Sequence, residues 1–339
     1  MSFILPVTAN GVDHSKKSNF DPKKEVLYSS KRTGSEKRGQ LMKKGVFLGI
    51  LLLCAAVTVF PIIRITVTIQ PYYLILKALE TENVEVRRLI DASQNPHTFS
   101  PSVTQVKLLY DSNIILYNGL HLESYLESTL ASFRSGGKTV IAASDFLSQD
   151  RLLAGHSHAG KDHASESPSE TDEGFNPHIW LDPVFLCEAI IPGLRDLLIA
   201  VDPINQTHYL SISQQMITSI EAQNLEIKTY LSDYSEKTVL MSHPSFLYFF
   251  ERYGLILESI FEGEGDEPTA GEMKALIDGL KQKRVVAMFM EPQQPQRYVE
   301  ILSKEGKIGI GTLDPLGWNA ASITELLSSN FAEIKRVFP

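Results

Sequence analysis

Three histidines and one aspartate are the side chains of this 339-residue chain best suited to do chemistry together. His97 stands in Asn95-Pro96-His97-Thr98-Phe99, a few residues past a run rich in β-branched and apolar residues that ends at Ile90. His178 stands in Asn176-Pro177-His178-Ile179-Trp180-Leu181-Asp182-Pro183. His243 follows Val239-Leu240-Met241-Ser242, and Asp314 follows Ile308–Leu313 and precedes Pro315-Leu316-Gly317. At least three of the four lie just beyond the carboxyl end of a candidate strand, where open α/β sheets bind ligands. Three neutral imidazoles and one carboxylate make a plausible four-coordinate set for Zn²⁺. Each residue also has a plainer reading. A lone His after a strand is commonly a hydrogen-bonded loop residue, and an Asp before Pro is commonly a turn former. Spacings of 81, 65 and 71 residues do not choose between the two.

A second cluster lies in Gly155–Gly174, GHSHAGKDHASESPSETDEG, which holds His156, His158 and His163, five acids and no large apolar side chain. Such a composition cannot bury a core and reads as a mobile loop. Imidazoles clustered on a polar strip suit borderline metals such as Zn, Cu or Ni, so the segment reads as an auxiliary metal-capture loop. The plain alternative is a solvated loop that happens to contain histidines.

The elements that must position these residues alternate in type. Candidate strands are Ile65–Ile69, Val84–Ile90, Asn113–Tyr117, Thr139–Ala143, Thr238–Ser242, Leu255–Ile260, Arg284–Met290 and Ile308–Leu313. Helical patterns such as Tyr72–Leu79, Ser102–Tyr110, Leu122–Ser132, Met273–Gln282 and Pro295–Lys304 separate most of them. This alternation predicts an α/β fold of two lobes, each a mainly parallel four-stranded sheet flanked by helices. Between the two groups, Asp202–Asp233 contains no Gly and no Pro beyond Pro203. Its apolar residues keep steps of three and four, which predicts one connecting helix of about 28 residues and roughly 42 Å, with Asn205 or Thr207 as its cap. The expected domains are a first lobe at 64–202, the connecting helix at 203–233 and a second lobe at 234–339.

Composition narrows the class. Hydrophobic residues at 43% and charged residues at 21% describe a folded globular protein. The net charge of −8 is uneven, because residues 1–45 hold ten Lys/Arg against four acids, leaving −14 on the remainder. An acidic body argues against nucleic acid as a partner and suits a protein that handles cations. Two cysteines exclude a disulfide framework and a Cys-rich zinc finger.

Gly45–Ile63 is an uncharged apolar run of nineteen residues. With Met42-Lys43-Lys44 ahead of it, 42–63 reads as a signal peptide or a membrane anchor. Small residues after Leu53 favour cleavage near Ala56. Residues 1–41 then read as a basic extension ahead of the true start, or as a disordered basic tail. Leu51-Leu52-Leu53-Cys54 suggests lipidation, although Leu53 is large for the position before the cysteine. Every version places the body outside the cytoplasm, in the periplasm or on the outer face of the inner membrane. Loss of Cys54 would leave Cys187 with no internal disulfide partner.

These stretches resemble the metal-binding receptors of bacterial zinc/manganese ABC importers, the ZnuA-like and TroA-like group. The resemblance runs from about Arg64 to Phe338 and is carried by Asn-Pro-His at 95–97, Asn118-Gly119 with Leu122-Glu123, and Pro177–Pro183. It continues through Ser242-His243 with Phe246, Arg252–Leu255, Glu267-Pro268-Thr269, Glu291-Pro292-Gln293 and Leu313–Leu316. It implies that His97, His178, His243 and Asp314 hold a metal ion in the cleft between two lobes, with the His-rich loop just before the second ligand. It implies as partners a membrane permease with its cytoplasmic ATPase, and a monomeric receptor that is not an enzyme. His121 departs from the pattern, which often has a small residue there, and reads as a surface or outer residue.

A third imidazole at 243, where manganese or iron receptors of this group often use Glu, favours zinc over Mn²⁺ or Fe²⁺. Glu123, Asp182 and Glu291 are candidates to hold the second ring nitrogens of the ligands. Binding needs neutral imidazoles, so affinity is expected to fall as pH drops through about 6.5. A long stiff connector is expected to limit closure to a small tilt. Two other functions fit less well. A surface adhesin or metal buffer would share the fold without a transporter. A zinc hydrolase would need an open coordination position and a base, and the chain has neither a His-Glu-x-x-His helix nor a Gly-x-Ser-x-Gly elbow.

Overall fold

Short runs, most of them rich in Ile, Val and Leu, form two parallel sheets in the computed structural model, which describes residues 61–155, 174–260, 269–280 and 285–339. The first sheet holds β1 (Ile63–Val67), β2 (Val84–Arg88), β3 (Ile114–Tyr117) and β4 (Thr139–Ala142) in the order β2-β1-β3-β4. The second holds β5 (Thr238–Met241), β6 (Ile256–Ser259), β7 (Val285–Met290) and β8 (Ile310–Thr312) in the order β6-β5-β7-β8. All pairings are parallel. Each sheet thus reverses strand order beside its first strand, and both sheets repeat one topology. Strands flanked by helices on both faces must be apolar throughout. Accordingly Ile65, Thr66 and Val67 of β1 and all four residues of β5 are buried. The one polar side chain in the middle of β1, Thr66, is satisfied by Ser112 at 2.5 Å.

All eight expected strands form. β1 starts at Ile63, a residue counted above with the apolar leader, and stops at Val67 because the chain turns into a helix at Gln70. The helices that matter below are α1 (Gln70–Ala78), α2 (Val103–Tyr110), α3 (Glu127–Ser135), α4 (Ile191–Val201), α5 (Gln206–Leu231), α6 (Leu247–Arg252), α7 (Ala270–Leu280), α8 (Arg297–Gly306) and α9 (Ile323–Val337). The helix expected at Leu122–Ser132 begins five residues late. Leu120 and His121 take positive φ, 52° and 62°, and the Glu123 carboxylate folds back onto the chain instead of entering a helix. Before α4, Leu186–Ile190 forms a single π-turn. Pro192 has no N–H to give the carbonyl four residues back, which explains the local widening.

The connecting helix is α5, 26 residues long and so about 39 Å. Its buried residues Tyr209, Ser213, Ile217, Ile220, Ile227 and Leu231 recur at steps of three, four and seven. Neither expected cap acts as one. Asn205 turns its amide to Asp202 Oδ2 at 2.7 Å, and Asp202 also takes Tyr209 and Asn83. α5 packs on α4 and on the C-terminal helix α9. α9 also lies against β8 and against α1 of the first lobe, giving a second bridge that the sequence reading did not anticipate. One apolar cluster, from Ile65 through Trp180 and Phe249 to Phe338, runs through both lobes. The lobes therefore share a core.

Glu123, 2% exposed, accepts Thr68 Oγ1 at 2.6 Å and the amides of Asn118 at 2.8 Å and Gly119 at 3.2 Å. Burial outweighs these bonds and pushes its carboxyl up to about 7 from the usual 4.5. An acid whose folded value lies above its unfolded value stabilises the fold fully below about 4.5, and the benefit is lost as pH rises to about 7. The loss amounts to about 3 kcal/mol. Urea midpoints at pH 4.5 and 7.5 are expected to differ more in the parent than in Glu123→Gln. Equal differences would remove Glu123 as the cause.

Candidate metal centre

The same tripeptide presents two of the candidate ligands. In Asn95-Pro96-His97 the Asn95 Oδ1 accepts the His97 amide at 2.9 Å. In Asn176-Pro177-His178 the Asn176 Oδ1 accepts the His178 amide at 3.0 Å. Each asparagine thus closes a side-chain turn around a proline that has no amide of its own, and each turn ends on an imidazole. Around His97, Gln105 reciprocates the Ser102 cap of α2 and donates to Leu89 O at 2.9 Å. That bond closes the loop from β2 to α2 and fixes where His97 leaves it.

His178 is held from below by a buried chain. Tyr72 donates to Asn118 Oδ1 at 2.6 Å, and Asn118 Nδ2 donates to Pro177 O at 2.9 Å. Gly119, at φ 84°, allows this turn, because a Cβ there would fall 2.3 Å from Ser144 Oγ. His243 leaves β5 directly, two residues after Met241. Glu291, just past β7, accepts Ser245 Oγ at 2.8 Å and lies 3.4 Å from His243 Nδ1.

These segments bring the three imidazoles together. The His97 and His178 Nε2 atoms are 3.1 Å apart, and the ring centroids of the three pairs lie 4.8–5.1 Å apart. One ligand nitrogen from each lies within 4.8 Å of the others. His178 and His243 are 3% and 6% exposed, while His97 is half-buried and stands at the entrance. They line a cavity of about 10 Å³ with Trp180, Glu291 and Gln293. Trp180 is fully buried, lies 5.2 Å from the His178 ring and donates Nε1 to Pro315 O at 2.7 Å. Gln293 Nε2 crosses from the second lobe to Ala92 O at 3.0 Å. Three imidazole nitrogens converging in so small a space can bind one borderline divalent metal ion.

Asp314 does not join that group. Its Oδ1 accepts the amides of Leu316 and Gly317, both at 3.0 Å, and Gln293 Nε2 at 3.3 Å, and its Oδ2 accepts the Trp318 amide at 2.7 Å. Here it closes the turn after β8, the role a pre-proline Asp suggests, and the next two residues, Pro315 and Leu316, line the cavity.

Of the three expected outer partners, only Glu291 stands beside a ligand. Glu123 faces Thr68 and two backbone amides, as described. Asp182, 1% exposed, is drawn away by the Arg252 guanidinium, 2.5 Å from its Oδ2, and caps the amide of Val184 at 2.8 Å. The partner of His178 Nδ1 is Asn176 Oδ1 at 3.0 Å, which the sequence reading missed. The repeated Asn-Pro-His was the signal that could have found it. His121 is exposed and pairs with Glu127 at 2.8 Å. His156, His158 and His163 lie outside the described residues, as do Cys54 and the apolar leader up to Phe60, while the ends of the His-rich segment are joined by Gly155 N to Gly174 O at 2.7 Å. Among the described residues no helix is long and apolar enough to cross a membrane.

The chain is similar in sequence and fold to known proteins. The family model described as ZnuA, zinc-uptake complex component A, periplasmic, matches residues 65–337. A protein of Thermotoga maritima to which metal binding is ascribed is 36% identical over 87% of this chain and 98% of its own. The zinc-binding lipoprotein AdcA of Streptococcus pneumoniae is 27% identical over 75% of this chain, and the match spans half of AdcA's length. A crystal structure of ZnuA superposes with a TM-score of 0.69 at 26% identity, covering 82% of this chain and 100% of the other.

Proposed function

Because the chain belongs to the ZnuA family of metal-binding importer components, we propose that it is the extracytoplasmic receptor that takes up zinc in the cleft between its lobes and hands it to a membrane permease driven by a cytoplasmic ATPase. The observation that carries this reading is the convergence of His97, His178 and His243, from three separate segments and both lobes, on one small cavity. Members of this family bind metal for import and are not enzymes.

In this proposal the three imidazoles are the nitrogen ligands. Asp314 is the fourth donor. Its Oδ2 carries one amide bond and keeps lone-pair capacity for an ion, and its turn borders the cavity. Nitrogen-rich donation favours Zn²⁺ over Mn²⁺ and Fe²⁺. Residues 155–174 act as an auxiliary metal-capture segment that the tight site does not require.

The test is metal analysis of full chain purified without added metal. One tightly held equivalent of zinc is expected, displaced by neither Mn²⁺ nor Fe²⁺ at equal concentration, and kept when 155–174 is deleted. A chain that holds no transition metal, or one that exchanges zinc freely for manganese, overturns the reading. Loss of the importer is expected to slow growth in chelated medium, with added zinc restoring it.

A further inference from the structure

We propose that Asn176 is a positioning residue for the metal site, one carboxamide that sets the tautomer of His178 and at the same time ties His178 to the loop carrying His243. The inference rests on the receptor reading above but concerns a residue that reading does not use. Asn176 is 1% exposed. Its Nδ2 donates to Pro244 O at 3.1 Å, and Pro244 directly follows His243 on the other lobe. Its Oδ1 faces both the amide and the Nδ1 of His178, each at 3.0 Å.

The orientation of this amide is not open to choice. Pro244 O only accepts and the His178 amide only donates, so a flipped Asn176 would set oxygen against oxygen and N–H against N–H. With Oδ1 fixed as an acceptor, His178 Nδ1 must carry the proton. The Nε2 lone pair is then directed at the cavity, where His97 Nε2 lies 3.1 Å away. A metal-binding imidazole generally needs such a partner on its other nitrogen.

The backbone of Asn176 is held as firmly as its side chain. Its amide donates to Leu153 O at 2.9 Å. Its carbonyl accepts Tyr248 Oη at 2.9 Å, and that hydroxyl accepts the Leu153 amide at 3.1 Å. Tyr248 lies on α6 of the second lobe, so three bonds from two elements fix where the carboxamide sits. One side chain thereby sets the relative position of a first-lobe ligand and a second-lobe ligand before any ion arrives. Preorganisation of this kind slows release of a bound ion.

The experiment uses the full chain, ¹⁵N-labelled at histidine, with Zn²⁺ alone as the probe. Imidazole ¹⁵N shifts of the metal-free protein report the His178 tautomer, and competition with a chromophoric chelator reports affinity. Asn176→Ala is expected to lose the single Nδ1–H tautomer and to weaken zinc binding 10–100-fold. Asn176→Asp keeps the acceptor and loses the donor. It is expected to restore the tautomer signature while zinc still dissociates faster than from the parent. A buried group that merely fills space would leave the tautomer unmoved. The proposal falls if Asn176→Ala keeps one tautomer and parent affinity, or if Asn176→Asp loses the signature. If Asn176→Ala does not fold, the Asp variant decides alone. Should the parent bind no zinc, the receptor reading fails, and the metal-free tautomer still judges this inference separately.

Discussion

His243→Ala is expected to release the metal ion that the parent retains through dialysis. His243 is the one imidazole the second lobe contributes to the three, and it is 6% exposed. Without it the remaining imidazoles, His97 and His178, both belong to the first lobe, so they cannot join the halves. Structural zinc sites are worth roughly 10–16 kcal/mol in all, or about 3 kcal/mol for each of four donors, so affinity should fall by more than a hundredfold. The fold should survive, because Ser242 and Ile260 keep backbone bonds to Phe289 and Met241. Mass spectrometry of the dialysed variant gives the answer, and a retained equivalent contradicts the site. Asp314→Asn separates the fourth donor from the turn. The variant keeps the oxygen that caps Leu316 and Gly317 but sets an N–H against the exposed Trp318 amide, so its melting temperature should fall only slightly, while zinc affinity drops about a hundredfold, as for one lost donor. Unchanged affinity would leave Asp314 with its turn alone.

Trp180→Ala is expected to be the most destabilising single change near the site. The indole is fully buried, packs edge-on to Tyr72 at 6.3 Å and reaches Pro315 O across the lobes. Truncating a buried Trp costs about 3–5 kcal/mol, here with a carbonyl stripped of its donor as well. In a domain of this size the melting temperature should fall by roughly 10 °C. Calorimetry of the metal-free protein measures this, and Trp180→Phe should recover the packing but not the hydrogen bond. A drop under about 2 °C would show that the indole is not the strut that its burial suggests.

The strands were legible because parallel strands covered on both faces must be apolar throughout, and runs such as Thr238–Met241 are short and sharply bounded. α5 was legible from its three- and four-residue steps. The role of α9 was not, since an amphipathic helix does not declare which neighbour its apolar side meets, and α9 meets both lobes. Within the site, the histidines stood out by type and setting, whereas Asp314 shows the limit of such reading: a carboxylate before Pro looks the same whether it caps a turn or binds an ion. Glu123 and Asp182 were misplaced for a related reason. Buried acids attract the nearest donors, here Thr68 and Arg252, and those donors lie far away along the chain. Asn176 was overlooked because a neutral amide next to Pro reads as punctuation.

The smallness of the cavity between the imidazoles, about 10 Å³, has a consequence for what can pass into it. That is room for about one water molecule, so an arriving cation must strip off its hydration shell before it is held. Ions that exchange water readily and accept nitrogen can do so. Magnesium gives up its water reluctantly, and both magnesium and calcium seek oxygen. Dehydration thus works against magnesium, and the nitrogen donors work against calcium.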